Sequence, residues 1–374
     1  MSNTPRRHNV GTHAFAVYDK PGYLTQLAAD IAATKKGDRV LLLTMNFQPD
    51  DAYVAPVVTA LEAAARRGVH ADFSMDAHDF MLANHRRPGP LWYRRTLPAH
   101  VPKPFQPRLE ALHRLYKAGA HVGVSNQPGM RFTSPFAGRS HIKLGLVNNR
   151  VYIGGCNLNG SDIIDAMVGW DDARSANWLY TLLRPLVATQ STRATLGAAD
   201  HVWQVDDRTT LLVDAGVKDQ SIIFDRALQA IDNAADWVVI TCQFFPNSIT
   251  AQALKRAQKR GVRVFPIFNH YRQHTMPNNL LQHSVTWRER RRMPANFFKY
   301  ELPPHLPFMH AKLLATDKEF LNGSHNYIKA GVHFGTAEIA LHRTDPGLSR
   351  QLSSAILQQS QLADNPHFAF LRPA

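Results

Sequence analysis

The segment HIKLGLVNNRVYIGGCN, residues 141–157, has a counterpart in HAKLLATDKEFLNGSHN, residues 310–326. Each copy opens on a His-x-Lys triplet, carries a glycine at the same later position (Gly154 and Gly323) and closes on an asparagine. In both, an apolar run is interrupted by a polar turn and then resumes, which predicts two strands joined as a hairpin. One short motif can arise by chance, but two copies in register predict an internal duplication.

The duplicated residue types indicate phosphate chemistry. Side chains two apart on a strand share a face, so the histidine and lysine of each copy should point the same way, with the asparagine alongside. Lysine supplies charge to a tetrahedral oxyanion, asparagine a directional N–H, and histidine a nucleophile or a proton. Phosphodiester exchange needs two such imidazoles, one to attack phosphorus and one to protonate the leaving alcohol. The candidate residues are His141, Lys143, Asn157, His310, Lys312 and Asn326.

Neither a metal nor another cofactor is expected at this site. No carboxylate or cysteine cluster accompanies the two motifs, so protein cations should hold the phosphate. The two cysteines, Cys156 and Cys242, support neither a disulfide framework nor a thiolate metal site, and both are expected to pack inside. The simpler alternative is a pair of unrelated surface hairpins with basic ends.

The repeat extends along the chain. Strand patterns at 12–20 and 208–216 are followed by amphipathic helices, at Tyr23 to Thr34 and Ser221 to Ala234, and then by buried strands, at Val40 to Thr44 and Val238 to Thr241. Alternating strands and helices predict an α/β protein with two lobes, each a mixed β-sheet flanked by helices, related by an approximate twofold axis.

The lobes are expected to span residues 1–195 and 196–374, with the boundary between Val187 and Gln204. The site should lie where they meet, and both half-sites within one chain favour a monomer. The first lobe is longer between its second helix and its histidine motif. We place the extra residues between Asp79 and Arg108, where prolines and arginines replace periodicity.

A formal net charge of +14 indicates an anionic partner. Arginine is mixed with aromatic residues at 85–95 and 287–300. This mixture suits an anionic lipid headgroup surface and equally suits single-stranded nucleic acid, while a third reading is that both segments are solvated loops. No signal peptide or membrane-spanning run is expected, so we predict a cytoplasmic protein that associates with a membrane only peripherally.

The paired motifs resemble the phospholipase D superfamily, whose signature is HxK(x)4D followed by a GG or GS turn and asparagine. The order Gly154-Gly155 and then Gly323-Ser324 is similar to bacterial cardiolipin synthases and related phosphatidyltransferases. The resemblance implies transfer or hydrolysis through a phosphohistidine, with His141 as nucleophile, on anionic phospholipid at a membrane surface. A metal-independent nuclease and a catalytically degenerate binding protein are the alternatives.

The resemblance also implies a carboxylate that orients each histidine. Glu338 fits this role in the second copy, and Asp172 is the choice in the first, with Asp162 and Asp171 as alternatives. Asp172 would also suit the N-cap of a helix beginning at Ala173. The chain departs from the signature at Asn148, where the second copy keeps Asp317, and this change is expected to affect local stability more than catalysis.

Overall fold

The computed structural model describes residues 13–79, 103–126, 138–160, 162–188, 196–246, 249–274 and 278–371. The elements built from the first half of the chain are β1 (Ala16–Asp19), α1 (Lys20–Ala32), β2 (Arg39–Thr44), α2 (Val54–Arg66), β3 (His70–Asp76), α3 (Gln106–Lys117), β4 (His121–Ser125), β5 (Leu144–Val147), β6 (Arg150–Gly154), β7 (Ile163–Ile164), β8 (Ala166–Asp171), α4 (Ala173–Leu183) and α5 (Pro185–Ala188).

The elements built from the second half are β9 (His201–Asp206), β10 (Thr209–Ala215), α6 (Ile222–Asn233), β11 (Trp237–Cys242), α7 (Ile249–Lys259), β12 (Arg263–Asn269), α8 (Asn278–Glu289), β13 (Glu301–Leu302), β14 (Phe308–Met309), β15 (Leu313–Thr316), β16 (Phe320–Gly323), α9 (Lys329–Phe334), β17 (Ala337–Arg343) and α10 (Pro346–Gln359). The two hairpins, β5–β6 and β15–β16, confirm the hairpins predicted from the duplicated motif.

Two mixed sheets repeat one topology. The first runs β1-β8-β6-β5-β2-β3-β4 and the second β13-β12-β11-β15-β16-β17-β10-β9. When the second order is reversed, β10 corresponds to β1 and β13 to β4, with the strands between them in the same sequence. The second sheet has one additional edge strand, β9. In each sheet the histidine hairpin pairs antiparallel with the central strand, β2 or β11, and this strand pairs parallel with the next. The expected pair of α/β lobes is confirmed.

Local sequence explains where the helices begin and end. Asp19 caps α1 by accepting from the Gly22 amide, and Ser221 caps α6 by accepting from the Phe224 amide. After α2 and α7 the chain turns through Gly68 and Gly261, which have φ values of 85° and 93°. Because a Cβ disfavours that left-handed region, glycine ends each helix and lets the next strand start at once.

The sheets face each other across a shared core. Its buried side chains come from both sheets, for example Leu146 and Trp170 from the first and Val239 and Leu341 from the second, with α4 and α10 contributing as well. The outer faces are covered separately, by α1, α2 and α3 on the first sheet and by α6 and α7 on the second. The shared core holds the inner edges of the two sheets in one fixed arrangement.

Two expectations fall on residues outside the described ranges. The extra segment predicted between Asp79 and Arg108 falls mostly on 80–102, which include the basic stretch 85–95, and the boundary predicted between Val187 and Gln204 includes 189–195. The division at residue 195 therefore stays a prediction. Within the ranges described, no helix is both long and apolar enough to cross a membrane.

Candidate active site

The residue before each histidine is held by a side chain at the end of a parallel strand. Asp76, the last residue of β3, accepts from the Ser140 amide at 2.8 Å. Asn269, the last residue of β12, accepts from the Met309 amide at 2.7 Å and donates to its carbonyl at 2.8 Å. Both side chains are buried. The fold thus fixes the entry of the two histidine segments in the same way.

Each histidine then pairs through its backbone with the opposite lobe. The His141 amide donates to the carbonyl of Ala337 at 2.8 Å, and the His310 amide donates to the carbonyl of Ile164 at 2.9 Å. Strands β7 and β14 reinforce the second contact as a small parallel sheet between the lobes. Both partners lie immediately before an acidic residue, so this pairing sets a carboxylate beside each imidazole.

These carboxylates are Glu338 and Asp165. His141 Nδ1 lies 2.9 Å from Glu338 Oε2, and His310 Nδ1 lies 2.7 Å from Asp165 Oδ2. The histidine side chains are 10% and 12% exposed, whereas the carboxylates are 4% and 0% exposed. An Nδ1–H held by a carboxylate leaves Nε2 as the atom that can attack phosphorus or carry a proton.

The structure corrects the expected carboxylates. Asp172 caps α4: its carboxylate accepts from the amides of Arg174 and Ser175 at 3.2 and 3.1 Å. The interpretation of Asp172 as a histidine partner is therefore wrong, and its alternative reading as an N-cap is confirmed. Asp171 forms an ion pair with Arg150 at the surface, and Asp162 is exposed. Glu338 does contact a histidine, but the one on the opposite lobe.

Strand register identifies the carboxylate that the sequence did not. Gly154 pairs with Met167, and Gly323 pairs with Ala340. Counting back two residues along each partner strand gives Asp165 and Glu338 as equivalent positions. The sequence did not reveal this equivalence, because the connection from hairpin to carboxylate contains α9 in the second copy and β7 in the first, so the two spacings differ.

The GG and GS turns differ because their carboxylates differ. The Ser324 hydroxyl donates to Glu338 Oε2, while its own amide bonds to the Ile339 carbonyl. At the equivalent Gly155, a Cβ would lie 2.1 Å from Asp165 Oδ1. Glycine is required there because the shorter aspartate reaches His310 only by passing close to the backbone.

The lysine of each copy is buried, and the asparagine of each copy lies at the end of its lobe's central strand. Lys143 and Lys312 are fully buried, and each Nζ donates to the carbonyl of the histidine two residues before it. Asn157 Oδ1 accepts from the Met45 amide at 3.1 Å, while Asn326 lies against Cys242, whose thiol donates to the Asn326 carbonyl. Within the described ranges the Asn157 carboxamide NH2 makes no hydrogen bond, so it is free to donate to a ligand.

Burial and the lysine charges govern protonation of the histidines. Burial, followed by the charges of Lys143 and Lys312, lowers the pKa of His141 well below its usual value. Burial and the charge of Lys312 lower the pKa of His310 to about 3, although Asp165 opposes the shift. Burial lowers the pKa of Lys312 to about 8. Burial, followed by the charge of Lys312, also lowers the pKa of Lys143 well below its usual value. At neutral pH the site therefore holds neutral imidazoles beside a cationic Lys312.

The two carboxylates are in different electrostatic surroundings. Burial raises the pKa of Glu338, although nearby positive groups oppose the shift. Burial alone would also raise the pKa of Asp165, but the hydrogen bond and charge of His310, with Lys312 and Lys20, outweigh it and lower that pKa. Asp165 is therefore the firmer anion of the two.

Two further residues near the site went unrecognised in the sequence. Lys20 is buried beside Asp165, with its ammonium donating to Asn159 Oδ1 and the Gly160 carbonyl, both at 2.6 Å. His325, also buried, precedes Asn326, and its Nδ1 accepts from the Tyr327 amide at 2.9 Å. Lys20, at the start of α1, belongs to no motif that would predict a role at the site. His325 lies inside the duplicated motif and could have been identified from the sequence.

Asn148 keeps the structural contact of the residue it replaces. Its Oδ1 accepts from the Arg39 amide at 3.1 Å, just as Asp317 Oδ1 accepts from the Ala235 amide at 3.0 Å. Both contacts tie a hairpin turn to the start of the central strand. Asn148 has a φ of 52°, a conformation that asparagine tolerates better than most residues.

The assembled groups can bind a tetrahedral anion and pass it from one oxygen to another. Each imidazole is fixed by a carboxylate of the opposite lobe, and each histidine is followed two residues later by a buried lysine. Among the residues that the structure describes, no group of three or more His, Cys, Asp or Glu side chains is placed to hold a metal ion.

Comparison with known proteins agrees with this arrangement. Residues 227–359, which include His310, Lys312 and Asn326, match the family model described as cardiolipin synthase, PLD-like domain. Residues 227–359 therefore carry a phospholipase D-like domain. A search of curated protein sequences gave no significant match.

Solved structures share this phospholipase D-like fold across both lobes. Phosphatidylserine synthase of Haemophilus influenzae Rd KW20 superposes with a TM-score of 0.63 at 13% identity, covering 94% of this chain and 86% of that one. Polyphosphate kinase from Porphyromonas gingivalis superposes with a TM-score of 0.53 at 14% identity, covering 93% and 50%. At such identities the likeness concerns the fold alone.

Proposed function

We propose that this phospholipase D-like chain transfers a phosphatidyl group between alcohols, as a cardiolipin synthase-like phosphatidyltransferase or, with water as acceptor, as a phospholipase D. The observation that carries the proposal is the reciprocal pairing of His141 with Glu338 and of His310 with Asp165 around two buried lysines. The pairing frees both Nε2 atoms for displacement at one phosphorus.

In the first step neutral His141 Nε2 forms a bond to phosphorus. The phosphorus–oxygen bond to the leaving alcohol breaks, and the alcohol takes the proton from His310 Nε2. This leaves a phosphatidyl group on His141 and a neutral His310. In the second step His310 removes the proton of an incoming alcohol or water, whose oxygen displaces His141 from phosphorus. The enzyme then regains its starting protonation state.

The assignment of roles is supported by the carboxylates. Asp165 has a lowered pKa and stays anionic, so it stabilises a positive charge on His310. His310 needs this charge to protonate the leaving alcohol. The free-protein pKa of His310 is about 3, so the negative charge of a bound phosphodiester has to raise it. Lys143, Lys312, Asn157 and Asn326 are proposed to bind the phosphate oxygens.

Three observations support glycerophospholipid as the substrate. The matching family model is described as that of a cardiolipin synthase, and one structural relative is a phosphatidylserine synthase. The chain carries a formal net charge of +14, which attracts it to an anionic surface. We therefore propose a protein that works peripherally on anionic membranes, with both half-sites supplied by a single chain.

The test is turnover of phosphatidylglycerol vesicles in the presence of chelator, beside single- and double-stranded DNA. The wild type should form cardiolipin and glycerol when a second lipid is the acceptor, or phosphatidic acid and glycerol when water is the acceptor. His141→Ala and His310→Ala should each abolish both reactions. His333→Ala is the matched control, since this histidine also pairs with a carboxylate, Asp219, but both side chains are more than half exposed. Cleavage of DNA without lipid turnover would replace the proposal with a nuclease.

A further inference from the structure

The outer side of α8 exposes apolar side chains. Leu280 is 60% exposed and Trp287 is 53% exposed. Residues seven apart lie on the same side of a helix, about 10 Å apart along its axis. The opposite side is buried through Thr286 and Glu289. Elsewhere in the described ranges, only Tyr53, Tyr116 and Val202 are large apolar residues with comparable exposure.

Positive charge surrounds these two side chains. Four arginines lie at the end of α8 and in the turn that follows, at positions 288 and 290–292. Arg288 pairs with Glu289, and Arg290 pairs with Glu301. Arg291 and Arg292 form no ion pair with any described carboxylate, and both are exposed. The surface therefore carries uncompensated cations next to an exposed indole and an exposed leucine.

This combination favours a lipid bilayer over nucleic acid. The guanidinium of Arg291 lies 3.7 Å from the centre of the Trp287 ring and covers one of its faces. A base would need a free aromatic face, whereas an indole at a bilayer interface needs only an apolar body and a polar edge. Leu280 offers a base nothing to stack on but can enter the acyl boundary.

The surface is joined to the segment that leads into the active site. The ring of His283 on α8 contacts Tyr271, with centroids 4.5 Å apart. In the turn that begins at Tyr271, Gln273 donates to the Leu306 carbonyl at 2.9 Å, and the ring of His274 lies against Phe308. Phe308 is two residues before His310. A continuous set of contacts therefore connects α8 to the segment that carries His310.

We infer that Leu280, Trp287, Arg288, Arg291 and Arg292, here called the Trp287 surface, dock the protein on an anionic phospholipid bilayer. Leu280 and Trp287 enter the headgroup region, and the arginines bind lipid phosphates. The choice of lipid as partner rests on the proposed function, although the exposure and charge of the surface do not depend on catalysis.

The test is flotation of the full chain with phosphatidylglycerol–phosphatidylcholine vesicles and with vesicles of phosphatidylcholine alone. Leu280→Ser with Trp287→Ser should weaken binding to the anionic vesicles about tenfold or more. Arg291→Gln with Arg292→Gln should weaken it by about fivefold per arginine, an effect that salt reduces. Tyr53→Ser with Tyr116→Ser, matched in exposure but distant in sequence, should bind like the wild type.

Equal binding by the wild type and the Trp287 surface variants would overturn the inference. It would also be overturned if the variants lost single-stranded DNA binding but kept vesicle binding. Thermal unfolding checks that all variants are folded, which is expected because the substituted side chains are exposed.

Turnover separates this inference from the proposed function. The Trp287 surface variants should lose more turnover on vesicles than on a soluble, monomeric short-chain phosphatidylglycerol, and an equal loss on both would contradict docking. If the wild type turns over neither lipid, the proposed function fails, while the flotation result still decides whether the surface binds membranes.

Discussion

His141 Nδ1 lies 2.9 Å from Oε2 of Glu338, a residue of the opposite lobe. The reciprocal contact, between His310 and Asp165, is 2.7 Å long. The histidine of each lobe is therefore oriented by the carboxylate of the other lobe. The duplication yields a site only when both copies are folded together.

Removing the orienting carboxylates should slow catalysis. Glu338→Gln and Asp165→Asn keep the size of each side chain but remove the charge that fixes the imidazole tautomer and stabilises imidazolium. By analogy with the acidic member of hydrolase triads, each should lower kcat by about 10²–10⁴-fold in a vesicle turnover assay.

Asp172→Ala is the informative control for those variants. It should leave kcat near the wild-type value and lower the free energy of unfolding by about 1 kcal/mol, because it removes the N-cap of α4. A kcat defect as deep as that of Asp165→Asn would show that the carboxylates have been wrongly assigned.

Gly155→Ala should disable the site through one methyl group. The added Cβ would lie 2.1 Å from Asp165 Oδ1, so the carboxylate must move away from His310. We expect a kcat loss similar to that of Asp165→Asn, measured on the same vesicles. Gly331→Ala is the matched control, because nothing lies within 4 Å of its added Cβ. Wild-type activity in Gly155→Ala would refute the proposed role of Asp165.

The pH dependence should be displaced to acid. Both imidazoles have a lowered pKa in the free protein, so kcat/KM should be greatest below pH 6.5, not centred on the value of an unperturbed histidine. As the pH rises, the protonated form of His310 becomes rarer and kcat/KM falls. Above about pH 8 the fall should steepen, since Lys312 loses its proton there.

Measurement of kcat and kcat/KM across this range checks the point. The fall in kcat should occur at higher pH than the fall in kcat/KM, because bound phosphodiester raises the pKa of His310. A kcat/KM that increases steadily from pH 6 to pH 8 would be incompatible with a protonated acid in the first step.

Restoring the signature aspartate should not improve the enzyme. Asn148 accepts from the Arg39 amide, and after the Lys35 amide it is the second hydrogen-bond donor that lowers the pKa of the Asp38 carboxyl. Asn148→Asp would set two carboxylates together, so we expect unchanged kcat and a loss of stability of up to about 1 kcal/mol. Denaturant unfolding and vesicle turnover measure both quantities. A large gain in kcat would mean that Asn148 had impaired the site.

Much of the fold could be predicted because the duplicated hairpins carry strong local signals. Alternating apolar runs, polar turns and glycine-ended helices are properties of consecutive residues. The sequence could therefore predict the hairpins β5–β6 and β15–β16 and the helices that end before Gly68 and Gly261. The same signals brought the histidines, lysines and asparagines to attention as one set.

The carboxylates were harder because their partners are set by contacts between the lobes. Asp165 is placed beside His310 by the pairing of β7 with β14, and no periodicity within the first copy reports that contact. The carboxylate expected there, Asp172, has a strong local reason to exist as a helix cap. Local sequence therefore indicated Asp172, whereas tertiary pairing selected Asp165.

The central claim is that two imidazoles from opposite lobes act on one phosphorus, with His141 as nucleophile and His310 as acid. The most direct measurement compares release of p-nitrophenolate, which needs no protonation, with release of glycerol from the same phosphatidyl group. In the first turnover, which ends at the phosphohistidine, His310→Ala should lose glycerol release by about 10²–10⁴-fold but retain most p-nitrophenolate release, while His141→Ala should lose both. Retention of p-nitrophenolate release by His141→Ala would contradict the account.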